Sequence, residues 1–391
     1  MSTAGGAPDR REIVPFLDVG AAYAELADEL DAAYRTVMGS GRYVNGEQGE
    51  AFEHEFAAHA GAVACAGVGS GTDALALALR ALGVGQGDEV LVPTNTAAPT
   101  WLAVAAVGAV PVGVEPVEAT HTMDPRRLDQ VCTPRTRAVV PVHLYGRPAD
   151  MEPILAWAQA RGLAVLADAA QAHGARIGGQ PIGAVGDAVA WSFYPSKNLA
   201  AFGDCGAVTS NDPELIARVR RLRNYGASSR DETSEVGANS RLDELQAAFL
   251  RVRLARLDDW NRRRRSLADR YRGALGDLDL VLPPPDDDAV ESSWHLFVVR
   301  VRDRPGVRSA LARSGIETLV HYPVPPFAQS GFRHLGIPPG SYPLAERLAR
   351  EVLSLPLGPH LPPEDADAVV AALRTAVLQA VSTPDCRQEL P

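Results

Sequence analysis

Short apolar segments alternate with helical segments through the middle of the chain, and this alternation limits the possible folds more than any other feature. A helix between two strands places those strands side by side and parallel, so the pattern predicts an α/β fold with a mainly parallel central sheet. The glycines of segment 175–187 predict a hairpin before the strand that follows. The predicted strands are 89–93, 138–144, 163–167, 188–193 and 206–209, and the predicted helices between them are 72–82, 99–107 and 151–161.

Changes of pattern divide the chain into a tail and two domains. Residues 1–15 are rich in alanine, glycine, proline and charge, which predicts a flexible tail. Apolar residues at helical spacing predict a first helix over 21–38 and a long helix that starts near Ser240 and leaves the large domain. We therefore expect a large domain over 16–255 and a smaller α+β domain over 256–391. Elements predicted in the smaller domain are a strand at 295–301 and helices near 306–314, 344–353 and 363–379.

The composition excludes several classes of protein. The 391 residues are 46% hydrophobic, enough for a sizeable core, and a net charge of −10 disfavours nucleic acid as a partner. The four scattered cysteines are too few for a disulfide framework or a metal-binding CxxC pair, so we expect no metal. Because the sequence shows neither an apolar leader nor a membrane-length apolar run, we expect a soluble cytoplasmic protein.

Lys197 is the single lysine of the chain: of 38 lysines and arginines together, the other 37 are arginine. An arginine guanidinium stays protonated near neutral pH, whereas a buried lysine can lose its proton and attack a carbonyl. A genome with GC-rich codons is the alternative explanation for so few lysines. The surroundings of Lys197 must therefore decide between the two.

Features around Lys197 describe one cofactor. Gly71 and Thr72 stand at the start of a predicted helix, where free backbone N–H groups suit a phosphate, although ordinary helix capping selects similar residues. Asp168 ends a predicted strand, which is where parallel sheets bind ligands, although aspartate is also common in turns. Lys197 follows the end of another strand. A phosphate site, an acid and a reactive amine together predict pyridoxal 5′-phosphate (PLP) as the cofactor.

A series of longer motifs carries a family resemblance. The motifs are SGRYVNG (40–46), GSGTDALALAL (69–79), PVHLYG (141–146), DAAQAHGA (168–175), SFYPSKNL (192–199), FGDCGAV (202–208), RNYG (223–226), NSRLDELQAA (239–248) and HYPVP (321–325). In this order they resemble the DegT/DnrJ/EryC1/StrS family of sugar aminotransferases, and the resemblance extends over 14–360. It implies a PLP enzyme of fold type I, with a large domain around a mainly parallel sheet and a smaller α+β C-terminal domain.

The resemblance implies a role for each matching residue. Lys197 would form the Schiff base with PLP and carry the proton, and Asp168 would pair with the ring nitrogen. Asn239 would reach the phosphate of the other subunit, which implies a homodimer with shared active sites. The other cofactor contacts would be Gln171, at the ring hydroxyl, and Gly71, Thr72 and Ser192, at the phosphate. The residues that would face the nucleotide sugar are His143, His173, Arg230, Arg241 and Tyr322, with a structural role as the alternative for His173.

The implied reaction transfers an amino group from L-glutamate to a keto-deoxyhexose linked to a nucleoside diphosphate, in the biosynthesis of antibiotic deoxyaminosugars. The motifs that contain His173, Lys197 and Tyr322 resemble the branch that aminates C3, so the expected substrate is a dTDP-3-keto-6-deoxyhexose. The alternatives are amination at C4, amination of a cyclitol, dehydration of the sugar, and a catalytically silent regulatory protein. The family's dehydratases have histidine in place of the lysine, so Lys197 argues against dehydration.

Two positions depart from the family pattern. Many members carry an aromatic residue that stacks on the cofactor ring after the 89–93 strand, where this chain has Ala97. Many also have GDGG where this chain has GDCG, which places Cys205 near Lys197. Either another side chain covers the ring or the ring is packed differently. Inert packing is the favoured role of the Cys205 thiol over reactivity.

Overall fold

The structure, a computed structural model, describes residues 13–229 and 231–382. Within these ranges the strands are β1 (Ala64–Val68), β2 (Glu89–Pro93), β3 (Val110–Val114), β4 (Thr136–Val139), β5 (Ala164–Asp168), β6 (Arg176–Ile177), β7 (Gln180–Pro181), β8 (Ala188–Ser192), β9 (Gly206–Ser210), β10 (Val290–Glu291), β11 (Phe297–Arg300) and β12 (Val352–Leu355). The helices are α1 (Ala21–Glu25), α2 (Ala27–Ser40), α3 (Glu47–Ala60), α4 (Gly71–Ala81), α5 (Ala98–Ala106), α6 (Leu128–Val131), α7 (Met151–Gln159), α8 (Pro213–Leu222), α9 (Glu244–Leu254), α10 (Leu257–Leu275), α11 (Arg304–Arg313), α12 (Pro343–Glu351) and α13 (Pro363–Ser382). None of the helices in the described ranges has the length and apolar character needed to cross a membrane.

Seven strands form the central sheet, in the order β1-β9-β8-β5-β4-β2-β3. The strands from β8 to β3 run parallel to one another, whereas β9 runs antiparallel to both β8 and β1. The predicted α/β class and mainly parallel sheet are confirmed. The C-terminal ends of β2, β4, β5 and β8 therefore meet at one edge, which is where parallel sheets bind ligands.

Helices cover both faces of this sheet, because successive residues of a strand point to opposite faces. Leu91 of β2 packs in one core cluster with Trp191, whereas its neighbours Val90 and Val92 pack in a second cluster with Trp101. Val90, Leu91 and Val92 are all fully buried. Burial of each such side chain contributes roughly 1.5–3 kcal/mol, which holds the strands rigidly beneath the edge that carries the site.

The C-terminal part of the chain builds a second core. β11 and β12 pair antiparallel, and α10, α11 and α13 pack with them around Tyr271, Phe297 and Leu373. Val14 joins this core, where it is 5% exposed and bridges to Ile316. The prediction of a flexible tail is therefore wrong at Val14, because its apolar side chain is buried, and residues 1–12 lie outside the described ranges. The domain boundary at residue 255 stays a prediction.

Several predicted elements differ from those of the structure. The predicted first helix is interrupted at Leu26, which separates α1 from α2. The strand predicted over 138–144 ends at Val139, and the next two residues lead into an isolated bridge between Val142 and Asp168. The helix expected from Ser240 begins at Glu244 and is broken between α9 and α10.

Tertiary pairing accounts for the strands that the sequence analysis missed. Val352 ends the predicted helix of 344–353 and starts β12, because the apolar run 352–355 pairs with β11 in the second core. β1 consists mostly of small residues, and β3 contains Pro111 at the edge of the sheet, where a proline removes no needed donor. The hairpin expected in 175–187 is present as β6 and β7, to which β10 adds a third strand.

Candidate active site

Asp168 and Lys197 come together at the C-terminal edge of the sheet. Asp168 is the last residue of β5 and is paired in register with Ala190 of the parallel strand β8. Lys197 follows β8 in a short turn, in which its backbone N–H donates to the carbonyl of Tyr194 at 2.8 Å. Two neighbouring parallel strands thus deliver the acid and the amine to the same place, as their sequence positions predict.

The Asp168 carboxylate is buried and held by two donors. It is 5% exposed, Oδ1 accepts from the backbone N–H of Ala170 at 3.1 Å, and Oδ2 accepts from the hydroxyl of Thr100 at 2.9 Å. Burial raises the pKa of Asp168, while the bonds from Ala170 and Thr100 and the charge of Lys197 oppose the rise. Both oxygens are therefore fixed in direction before any ligand binds.

The Lys197 amine lies in a site that disfavours its positive charge. Burial lowers the pKa of Lys197 to about 8, and the negative charge of Asp168 limits that fall. After burial itself, the Lys197 charge is the next cause that lowers the pKa of His173, His295 and His321. The amine thus stands among neutral imidazoles and is partly unprotonated near neutral pH.

The N-terminus of α4 forms a cradle beside Ser192, at the end of β8. A Cβ on Gly71 would lie 2.5 Å from the Cβ of Ser192, so only glycine allows this approach. The first bond within the helix runs from Ala74 to the Ser70 carbonyl, which leaves the N–H groups of Gly71 and Thr72 ahead of the ladder. The Ser70 hydroxyl accepts from the next N–H, that of Asp73. The cradle has the donors and the positive dipole end that an anion requires.

Gln171 joins two tyrosines across the site. Its Oε1 accepts from the backbone N–H of Tyr145 at 2.6 Å, and its Nε2 donates to the Tyr322 hydroxyl at 2.8 Å. The Tyr145 hydroxyl donates to the carbonyl of His321. Burial raises the pKa of both Tyr145 and Tyr322, so both phenols stay protonated. Because an amide nitrogen carries two hydrogens, Gln171 keeps one donor for a ligand.

The structure places two predicted substrate contacts in the interior. His143 has no exposed surface, and its Nδ1 accepts from the backbone N–H of Ala149 at 3.0 Å. His173 is equally buried, with its ring 5.3 Å from that of Trp191 and 5.5 Å from that of Phe193. Neither ring offers a surface to a sugar, because neither has exposed area. The packing favours the structural role for His173.

The remaining predicted contacts lie in the segment before α9. Asn239 is exposed and bridges to Asn224, whereas its neighbour Ser240 is buried and bonds to Asp73 of α4 at 2.7 Å. Arg241 donates to the Asn224 side chain at 3.0 Å and lies over the ring of Tyr225. These contacts hold the segment against the cradle. Arg230 lies outside the described residues.

Of the two departures from the family pattern, Cys205 has a clear structural role. The Cys205 thiol is buried in the core, and burial, with Asp243 and Asp204, raises its pKa to about 12. A thiol with so high a pKa is a poor nucleophile, so inert packing fits it. Ala97 precedes α5 and is half-buried.

Thr100, Tyr145 and His295 are site residues that the sequence analysis missed. Thr100 lies 68 positions before the aspartate to which it bonds, so no local spacing indicates the contact. Tyr145 belongs to the motif PVHLYG and His295 lies in a predicted strand, but neither residue type signals this position by itself. The only sequence signal for Thr100 is that it places a hydroxyl in the first turn of the helix after β2.

We expect the Thr100→Val variant to lose stability by about 1–3 kcal/mol, because Asp168 Oδ2 becomes an unpaired buried acceptor. The pKa of Asp168 should rise, since the lost bond is one that lowers it. Urea unfolding at several pH values measures both effects, and Thr100→Ser should restore them. Thr375→Val is the control, since its exposed hydroxyl bonds only to the carbonyl of Ala371. Equal unfolding curves for the two valine variants would contradict the role of Thr100.

Comparison with known proteins identifies the family. A sequence model of the DegT/DnrJ/EryC1/StrS aminotransferase family matches residues 24–374. The chain belongs to this family. The resemblance found in its motifs is thereby confirmed, and with it the expectation of an aminotransferase fold.

Two curated relatives are similar to this chain over nearly their whole length. The erythromycin biosynthesis sensory transduction protein EryC1 of Saccharopolyspora erythraea is 54% identical, over 92% of this chain and 99% of the relative. The dTDP-3-amino-3,4,6-trideoxy-α-D-glucose transaminase of Streptomyces venezuelae is 53% identical, over 92% of this chain and 95% of the relative.

Solved structures agree with the family and the fold. DesV of S. venezuelae, crystallised in complex with a ketimine intermediate, has a TM-score of 0.91 and 52% identity over 93% of this chain and 98% of DesV. NtdA of Bacillus subtilis, with bound cofactor PMP, has a TM-score of 0.88 and 31% identity over 95% of this chain and 87% of NtdA. The predicted fold class is confirmed by both.

Proposed function

We propose that this chain is a PLP-dependent aminotransferase that transfers the amino group of L-glutamate to C3 of a dTDP-linked keto-6-deoxyhexose, in antibiotic deoxysugar biosynthesis. One observation carries the proposal: the only lysine of the chain is buried beside Asp168, at the sheet edge where α4 begins. This position gives the amine an acid, Asp168, and an anion cradle as neighbours.

The residues present fit PLP. The cradle of Gly71, Thr72 and Ser192 supplies backbone N–H groups and a hydroxyl for the phosphate, in a space that any Cβ on Gly71 would fill. Asp168 supplies a buried carboxylate for the ring nitrogen, and the free donor of Gln171 suits the ring hydroxyl. When bound, PLP supplies an aldehyde that takes up the amino group and a ring that withdraws electrons.

The chain's own residues hold charge and move a proton. Lys197 Nζ, with a pKa of about 8, gains or loses a proton readily near neutral pH, as a general acid and base must. Thr100 and Ala170 hold both oxygens of the Asp168 carboxyl in position and favour its charged form against the effect of burial on its pKa. The neutral imidazoles around Lys197 provide polar contacts without competing for the role of the site's titrating base.

The choice of sugar rests on the relatives. The S. venezuelae relative is named a dTDP-3-amino-3,4,6-trideoxy-α-D-glucose transaminase, and a second relative with that name, from Micromonospora megalomicea, is 45% identical. A third, from Aneurinibacillus thermoaerophilus, is 44% identical and is named a dTDP-3-amino-3,6-dideoxy-α-D-galactopyranose transaminase. All three names state a 3-amino sugar linked to dTDP, which supports amination at C3 over amination at C4.

The regiochemistry can be tested in the reverse direction. We expect turnover when the enzyme receives 2-oxoglutarate with a dTDP-3-amino-6-deoxyhexose, and none with the dTDP-4-amino isomer. Formation of glutamate, measured by coupled oxidation with glutamate dehydrogenase, is the readout. Turnover of the 4-amino sugar alone would reject the C3 assignment and leave the aminotransferase reaction in place.

A regulatory role is the second candidate, because EryC1 carries the name of a sensory transduction protein. Burial of a lysine with a lowered pKa beside a buried acid costs stability. A catalytically silent regulator does not require this arrangement, whereas an aminotransferase does. Transfer of the amino group from glutamate to the bound cofactor, followed by absorbance, separates the two candidates. No spectral change on addition of glutamate would favour the regulator.

We further propose a cytoplasmic homodimer in which Asn239 completes the partner's phosphate site. The exposed side chain of Asn239 stands on a segment that Ser240 anchors to the cradle of its own subunit. Mixing Lys197→Ala with Asn239→Asp subunits should restore about one quarter of the wild-type activity, since half the random dimers carry one intact site. Each variant refolded alone is the control. No recovery in the mixture would mean that Asn239 acts within its own subunit.

A further inference from the structure

A cavity of about 370 Å³, open on one side, lies against Lys197. Its walls come from parts of the chain far apart in sequence: segment 17–22, the turn that follows β8, the helices α9 and α10, and His360. Lys197 and Asn198 line it from the turn after β8. Arg253 from α9 and Arg264 from α10 line it from the helices. The cavity therefore brings two guanidinium groups to the wall that also carries the reactive lysine.

Arg253 is a buried arginine that its protein partners only partly satisfy. It is 3% exposed, and its Nη1 donates to the carbonyl of Ala200 at 2.6 Å. Its guanidinium lies 4.0 Å from the centre of the Phe202 ring, and its buried Nε has no hydrogen-bond partner in the described chain. The side chain is thus held in place by packing and one carbonyl, with donor capacity left over.

Arg264 repeats this arrangement from the next helix. It is also 3% exposed, and its Nη1 donates to backbone carbonyls at 3.1–3.4 Å. Its buried Nε also lacks a hydrogen-bond partner among the described residues. The carbonyls that it contacts are those of Trp294, His295 and Leu357.

Neither arginine is neutralised by a carboxylate of the described residues. Most other buried or half-buried arginines of the chain pair with Asp or Glu, as Arg223 does with Glu53, but no ion pair of Arg253 or Arg264 occurs within 13–229 and 231–382. Burial lowers the pKa of each to about 10, with no acidic group raising it. Buried charge without a counterion is costly, so an anion in the cavity would repay that cost.

Among the described residues, one carboxylate lies on the cavity wall, and its hydrogen bonds hold the start of α1. Asp18 lines the cavity, and its Oδ1 accepts from the backbone N–H groups of Gly20 and Ala21 at 3.0 and 3.1 Å, where α1 begins. His360 Nε2 is engaged with Glu25 at 2.6 Å. The single charge of Asp18 stands against those of Arg253 and Arg264, so the wall is positive on balance even without a charge on Lys197.

We propose that Arg253 and Arg264 form an oxyanion subsite that receives a carboxylate of the amino donor; this rests on the proposed function. That reaction brings two oxyanions to the enzyme, the donor's carboxylate and the diphosphate of the nucleotide sugar. A guanidinium fork matches either of them. The amine and a carboxylate of the donor lie on one carbon, whereas the sugar ring separates the diphosphate from C3, so a site beside Lys197 favours the carboxylate of the donor. The donor would also have to bring its amine to the cofactor carbon that Lys197 holds, and Lys197 shares this wall.

The test uses glutarate, a dicarboxylate without an amino group, so that binding is measured without reaction. Calorimetry on the PLP-loaded enzyme gives its dissociation constant, and steady-state kinetics give KM for glutamate and for the sugar nucleotide. For Arg253→Gln and for Arg264→Gln we expect the dissociation constant of glutarate and the KM for glutamate to rise about tenfold or more. The KM for the sugar nucleotide should change by less than about twofold. Lysine at either position should give intermediate values, because it keeps the charge and loses the fork.

Arg304→Gln is the matched control. Arg304 also donates to a backbone carbonyl, that of Ala349, and burial also lowers its pKa, but it belongs to α11 and does not line the cavity. It should leave glutarate binding unchanged. If a glutamine variant fails to fold by circular dichroism, the lysine variant of the same position decides.

Each outcome separates this inference from the proposed function. Unchanged glutarate binding in the Arg253 and Arg264 variants overturns the subsite, even where the enzyme aminates the sugar. A raised KM for the sugar nucleotide with an unchanged KM for glutamate overturns the donor assignment and gives the oxyanion to the diphosphate. Arginine-dependent glutarate binding in an enzyme that aminates no sugar supports the subsite and rejects the proposed function.

Discussion

Lys197→Arg is expected to abolish transamination, although the variant keeps a positive charge at the site. An arginine has no amine that can bond to an aldehyde or exchange a proton near neutral pH. Loss of the proton transfer alone costs about 10²–10⁴ in rate, and the chain has no second lysine to replace Lys197. Steady-state assays with glutamate and the keto sugar, at matched cofactor occupancy, measure the loss.

A covalent readout strengthens this test. Borohydride treatment of the loaded enzyme should leave the cofactor attached to the peptide that contains Lys197, and to no peptide of the Lys197→Arg variant. The double variant Lys197→Arg/Arg304→Lys is the control, because it restores one lysine to the chain away from the site. Activity close to that of the wild type in either variant would show that the site is wrongly placed.

The same lysine should leave a signature in the pH dependence of stability. The folded-state pKa of Lys197 is about 8, below its ordinary value of 10.5, so the unfolded chain binds more protons between these two values. The free energy of unfolding of the cofactor-free protein should therefore gain a contribution as pH rises through that window. The Lys197→Met variant should lack that contribution. If the free energy of unfolding, measured with urea, changed equally with pH in the two proteins between pH 8 and 10.5, the burial of the amine would be contradicted.

Asp168→Asn is expected to lower kcat by about 10²–10³, the range found when one fixed electrostatic partner of a reacting group is lost. The amide occupies the same volume and can still accept one of the two bonds from Ala170 and Thr100, so the fold should persist. It cannot present a negative charge to a ring nitrogen. Because the Asp168 charge raises the pKa of Lys197, that pKa should fall below about 8 in the variant.

The control for Asp168→Asn comes from the other end of the same strand. Asp187 also accepts from a backbone N–H of β5, that of Val165, at 2.7 Å, but it lies away from the C-terminal edge. Asp187→Asn should change stability and leave kcat near that of the wild type. The pH profile of the bound cofactor's absorbance should shift only in the Asp168 variant. If Asp168→Asn changed neither kcat nor the pH profile of the absorbance, the role of Asp168 would be only that of a turn residue.

Local sequence was sufficient to predict the parts of the site that depend on strand ends and helix starts. Asp168 and Lys197 each follow a short apolar strand, and Gly71 precedes an amphipathic helix. Because parallel strands end at one edge, these spacings alone place the acid, the amine and the anion cradle together. Because the chain has a single lysine, its position at this edge then indicates an amine that reacts with a carbonyl. The fold class followed from the same periodicity.

The tertiary structure decided the contacts that have no local signal. The motifs indicate different roles for Gln171 and Tyr322, yet the two side chains bond across 151 positions. Thr100 acquires its role only when α5 packs against the end of β5, and His173 loses contact with solvent only when Trp191 and Phe193 enclose it. Whether an arginine has a carboxylate beside it also depends on the packing of separate helices, and Arg253 has none among the residues that the structure describes.

The physical reason for this division is the range of the interactions. Strand periodicity, helix capping and a glycine at a close approach depend on residues within a few positions of one another, and the order of the letters records them directly. The burial that lowers the pKa of Lys197 to about 8 and that of Arg264 to about 10 depends on which distant segments exclude water from each side chain. Sequence therefore determined which residues reach the edge of the sheet, and the tertiary structure determined what surrounds them there.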